Sequence, residues 1–154
     1  MTQLSEIYNQ RILELSANIA RAERLADADA TATAHSKLCG STVTVDLKVG
    51  DDDRVSAYGQ TVKACLLGQA AASVMGRNIV GTGAAELREV GNAMRRMLKA
   101  GGPPPTGRWA DLAVLEPVKD YKARHASTLL VFDAVEQALA KAEAKHGLQA
   151  ASQA

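Results

Sequence analysis

Apolar side chains at Leu4, Ile7, Tyr8, Ile12, Leu15 and Ile19, with charged residues between them, mark one stripe of an amphipathic helix over residues 3–19. Residues 20–34 are rich in Ala and Asp without a period, and the helix is expected to end among them. The pattern then changes to a period of two. Thr42-Val43-Thr44-Val45-Asp46-Leu47-Lys48-Val49 alternates polar and apolar residues and is rich in β-branched types, which predicts a strand. Gly50-Asp51-Asp52-Asp53 supplies a turn, and residues 54–62 read as the hairpin partner. A further strand around residues 32–38 completes a small antiparallel meander.

Beyond Cys65 the helical period returns. Leu67, Ala71, Val74, Met75 and Ile79 share a face, with Gly81 as a stop. Leu87, Val90, Met94, Met97 and Leu98 line a third helix that ends at Gly101-Gly102, and the methionines read as core packing rather than soft-metal ligands. Pro103-Pro104-Pro105 is a rigid break, since too little chain follows it to build a second core. A short helix is expected over residues 109–118. A long one begins near Ser127, read as its N-cap, and carries Leu130, Val131, Ala134, Val135, Ala138 and Leu139. Strands in one run, followed by helices, predict an α+β fold of two layers, a three-stranded antiparallel sheet packed against several helices. Residues 1–146 form one domain, and residues 147–154 are expected as a disordered tail.

Composition narrows the function classes. At 154 residues the chain can bury roughly 70% of its unfolded surface. Aromatics are only 3% and the formal net charge is +1, so neither a stacking platform nor a basic patch for nucleic acid is expected. The polar N-terminus has no leader pattern, and no apolar run approaches the ~20 residues that span a bilayer. The cytosol is the expected compartment. Two widely separated cysteines there point to metal binding or thiol chemistry before a disulfide.

Three residues carry that chemistry. Cys39 falls in a turn between strands, Cys65 where the last strand yields to a helix, and His125 at the mouth of the last helix. A cysteine at a helix N-terminus faces aligned backbone N–H groups, a setting suited to a thiolate nucleophile or metal ligand. Two thiolates and an imidazole make a partial tetrahedral set. On spacing alone, Cys65 between Ala64 and Leu66 is equally compatible with core packing, and His125 with a helix-terminal histidine.

These segments resemble a known family across residues 8–139. Tyr8-Asn9 before the first helix, Cys39-Gly40 between the strands, the run from Lys63-Ala64-Cys65 through Ser73-Val74-Met75, and His125-Ala126-Ser127-Thr128-Leu129 resemble the U-type iron–sulfur cluster scaffolds (IscU, SufU and the NifU N-terminal domain). The extra stretch over residues 98–122 is similar to the SufU-like branch. In that family the site uses a cysteine, an aspartate two residues later, a second cysteine, and a third cysteine at the last helix, preceded in shorter members by a histidine. Carried over, Cys39, Cys65 and His125 match, whereas Ser41 stands for the aspartate and Ala126 for the third cysteine.

The resemblance implies a scaffold or carrier that binds iron, a transient iron–sulfur cluster or zinc at Cys39, Cys65 and His125, completed by a second copy or a partner. It implies a cysteine desulfurase and apo-protein acceptors as partners. Two alternatives stay open. One is a zinc-dependent sulfurtransferase in which Cys39 or Cys65 accepts the persulfide. The other is a metal-free protein that docks on the same partners.

Overall fold

The computed structural model describes residues 8–37 and 40–153, the side chains of residues 148–153 excepted. The first helix, α1 (Gln10–Ala17), begins where Asn9 caps it, its side-chain oxygen accepting from the Ile12 N–H at 3.0 Å. It ends ahead of residues 20–34, where its end is expected, and Asn18 turns its side chain back to donate to the Glu14 carbonyl at 2.7 Å. Ile12 and Leu15 are buried, as the stripe predicts, while Leu4 and Ile7 lie outside the described residues.

The period-two segment forms a sheet of three antiparallel strands, β1 (Ala30–His35), β2 (Thr42–Val49) and β3 (Val55–Lys63), in the order β1-β2-β3. The expected α+β architecture is what the chain adopts. The first strand starts and stops earlier than expected, at Ala30 and His35, and its alternation is Ala inward and Thr or His outward. Alanine at every buried position gives α4 (His125–Gln153) a flat surface to cross, and it packs over β1 and β2. On β3 and α1 lies α2 (Leu66–Asn78). The amphipathic α3 (Ala84–Ala100) packs on α4 and ends at Gly101, whose φ of +69° is the left-handed conformation that favours glycine there.

Both edges of the sheet are attended. Gln60 N–H donates to the Arg21 carbonyl at 3.0 Å, so the loop after α1 lies along β3. Arg24 anchors that loop to the 1%-exposed carboxylate of Asp46, which also accepts from Thr31 Oγ1 and the Leu25 N–H. On the other edge, Lys141 of α4 donates to the Thr31 carbonyl at 2.9 Å.

Residues 107–120 are a run of 3₁₀ turns rather than the short helix expected over residues 109–118. A 3₁₀ helix has three residues per turn, so every third side chain shares a face. Trp109, Leu112, Leu115 and Val118 stand at that spacing, and all four are buried. A second 3₁₀ turn, Lys122–Arg124, feeds directly into α4. The helix therefore starts at His125, two residues before the expected N-cap, and it continues to Gln153 through the segment expected as a tail. Gly147 is a single weak position among helix-favouring Ala and Gln residues, which carries the backbone past it.

Candidate functional site

Sheet register brings three chain segments to one end of the molecule. His35 pairs with Thr42, and Thr42 pairs in turn with Lys63, so β1 leaves, β2 enters and β3 leaves at the same level. The loop that carries Cys39 joins His35 to Thr42. Cys39 itself lies outside the described residues. Its loop is closed on both sides by main-chain bonds: Ser36 N–H to the Ser41 carbonyl and Gly40 N–H to the Ser36 carbonyl, each 2.9 Å. Gly40 sits at φ +71° with open space where a Cβ would project, so the demand for glycine is conformational rather than steric.

Two residues beyond Lys63, Cys65 caps α2. Its extended backbone hands its carbonyl to the Gln69 N–H at 2.9 Å, and its side chain makes no capping bond. It is half-buried, and its sulfur lies 3.4 Å from Ser127 Oγ. The two helix starts meet this closely because of Gly68. A Cβ there would stand 2.9 Å from the Ser127 carbonyl oxygen and 2.8 Å from Ala64 Cβ.

His125 is buried at the start of α4, with Nε2 2.9 Å from the Val118 carbonyl and 3.2 Å from that of Lys119. Carbonyls only accept, so Nε2 carries a proton and Nδ1 is the ring nitrogen left with a lone pair. The same bonds tie the end of the 3₁₀ run to α4. Ala126 is exposed and offers no donor atom, and Ser41 is buried. Among the described residues, to which Cys39 does not belong, no three His, Cys, Asp or Glu side chains converge as a metal site.

Neither Cys65 nor His125 borders the main clefts among the described residues. A cleft of about 580 Å³ between α3 and the proline segment is bordered by Glu89, Arg96, Pro104 and Trp109, and Cys65 is not among its lining residues. Ser127 and Gly68 were not legible as site residues. The glycines at 68 and 76 inside an alanine-rich helical run are the signal for the second, since each costs helix stability unless close packing requires it.

The NifU-like N-terminal domain model matches residues 7–128. The chain is 57% identical to the N-terminal part of a nitrogen-fixing NifU-like protein from Brucella abortus. That match covers 92% of this chain and 98% of the other, with a TM-score of 0.90. It also superimposes on an iron–sulfur cluster assembly scaffold protein for the SUF system from thermophilic Fervidobacterium islandicum AW-1. There the TM-score is 0.80 at 23% identity, over 89% of this chain and 99% of that one, a likeness of fold. No curated protein matches the chain. Among the described residues, no helix is long and apolar enough to cross a membrane.

Proposed function

The chain belongs to the NifU-like N-terminal domain family of U-type iron–sulfur scaffolds, and on that premise we propose that it receives and carries a nascent iron–sulfur cluster as its cargo. The half-buried Cys65 at the start of α2 carries this reading. Its sulfur stands at the end of the sheet where the Cys39 loop begins and ends, and the first turn of α4 lies against it. Sulfur would come from a cysteine desulfurase, and the cluster would leave to an apo-protein.

The donor set sets the stoichiometry. A [2Fe–2S] cluster takes four ligands. With Ala126 in place of a third thiolate, one chain offers Cys39, Cys65 and, through Nδ1, the imidazole of His125. Two copies meeting at this end supply four thiolates, giving about one iron per chain. A zinc held by one chain would take the same three donors and leave its fourth position to water, so the metal content of the isolated protein decides between the two readings.

Anaerobic isolation with iron, zinc and acid-labile sulfide measured on the native chain, Cys39→Ser and Cys65→Ser tests this. Iron with matching sulfide, lost in either variant, is the expected result. About one zinc per chain, lost in either variant, would replace the scaffold with a sulfur acceptor. Neither metal nor sulfide after reconstitution would leave a docking protein.

A further inference from the structure

Ser127 Oγ, 3.4 Å away, lies against the Cys65 sulfur from inside the fold, its residue only 2% exposed. A serine hydroxyl has one proton to give. Here that proton faces the Arg124 carbonyl at 3.2 Å, a group that can only accept. With the serine proton committed, the S–H of Cys65 is the donor of the sulfur–oxygen bond. The chain of bonds runs from Cys65 S–H to Ser127 Oγ, and from Ser127 O–H to the Arg124 carbonyl. Thr128 Oγ1 donates to the same carbonyl at 2.7 Å, so that acceptor keeps a partner if the serine turns away.

We propose that Ser127 is a positioning residue for Cys65, and that it passes the loading state of the sulfur to the first turn of α4. This deepens the reading of Cys65 as the cargo-bearing thiol and rests on it. While the sulfur is a thiol, Ser127 accepts its proton. Loading breaks the S–H bond. Iron binds the thiolate after its proton passes to solvent, and attack of the thiolate on a desulfurase persulfide moves the outer sulfur to Cys65 with the desulfurase thiolate as leaving group. The loaded sulfur has no proton to donate. The serine O–H then rotates about its Cβ–Oγ bond and donates to the sulfur, leaving the Arg124 carbonyl to Thr128. No backbone movement is required. The pair is held by main-chain packing at Gly68 rather than by a long side chain, so the geometry persists through the exchange.

Infrared spectroscopy of Cys39→Ser, in which Cys65 carries the one remaining S–H group, tests the first half. The S–H stretch is expected at the lowered frequency of a hydrogen-bonded thiol and is expected to rise in Ser127→Ala. In Thr128→Ala, which removes the other hydroxyl from the Arg124 carbonyl without touching the sulfur, it is expected to stay in place. Methyl methanethiosulfonate tests the second half. The thiolate of Cys65 displaces methanesulfinate and becomes a methyl disulfide, a stable stand-in for the sulfane-loaded sulfur. The carbonyl carbon signal of Arg124 in NMR spectra is expected to shift on this capping when Ser127 is present and to stay in place in Ser127→Ala. An S–H frequency unchanged in Ser127→Ala, or moved equally in Thr128→Ala, overturns the proposal. So does an Arg124 shift that is the same with and without the hydroxyl. None of these readouts needs iron, so a chain that passes them yet never holds a cluster refutes the cargo reading alone.

Discussion

Gly68→Ala is the sharpest test of how the site is held together. The new methyl would lie 2.9 Å from the Ser127 carbonyl oxygen and 2.8 Å from Ala64 Cβ, where ordinary contact begins at 3.4 Å, so α4 must recede from α2 by about half an ångström. The obstacle on the α4 side is main chain, which no rotamer change can move. Overpacking costs about 1–3 kcal/mol, and the upper half of that range applies here. Alanine recovers up to about 1 kcal/mol of helix propensity over glycine. The expected net loss is about 1–2 kcal/mol, a fall in Tm of roughly 3–8 °C for a chain of this size. Urea unfolding followed by far-UV circular dichroism reads it as a lower midpoint at unchanged slope. Gly147→Ala in α4, where nothing lies within 4 Å of the new Cβ, supplies the comparison and is expected to hold or gain stability. A Gly68→Ala protein as stable as the native one, or more so, would show that the two helix starts are not packed as described.

Acid provides a second test. Burial works against the charge on Asp46, but the hydrogen bonds from Arg24 and Thr31 and the Leu25 N–H outweigh it, and the carboxyl is held below its ordinary value. A depressed folded value means that its stabilisation is complete above the unfolded carboxyl at about pH 4 and is lost as pH falls through the folded value. The urea midpoint of Asp46→Asn is therefore expected to be lower than native at neutral pH and to fall less steeply below pH ~4. A parallel acid limb in the two proteins would refute this assignment. On the 3₁₀ run, Leu112→Ala is expected to cost about 2–5 kcal/mol, while Ala113→Ser on its exposed side stays within about 0.5 kcal/mol. Equal losses at the two positions, measured by the same unfolding, would mean that the period-three face is not the buried one.

Much of the fold is written in local pattern. Alternation from Thr42 to Val49 specifies both the strand and the face it buries, and the stripe of α3 needs only 3.6-residue spacing to be seen, whereas α2 is buried on nearly every side, beyond the single face its spacing predicts. The stretch after the prolines was harder because its period is three. Trp109, Leu112, Leu115 and Val118 are evenly spaced, but an interval of three matches neither the 3.6-residue period of an α-helix nor the period of two of a strand. Ser127 looks like an N-cap by residue type. Its role reverses because Lys122–Arg124 already supplies the turn that a cap would initiate, leaving the hydroxyl to bond back to Arg124 and out to Cys65. Cys65 and the start of α4 are 60 residues apart, and only the tertiary approach permitted by Gly68 joins them, which no local pattern encodes.

The treatment of the sheet edges bears on how copies of this chain can meet. An open strand edge is a template for adding another strand, and unchecked addition leads to aggregates rather than closed assemblies. Here the loop after α1 occupies the β3 side, while Lys141 sets a positive charge at the Thr31 carbonyl of β1. Strand addition is thus discouraged on both flanks. A pairing of copies through the end that carries Cys65, as proposed above, would therefore form without any strand being shared, and a contact built on side chains and cargo separates more readily than a continuous sheet.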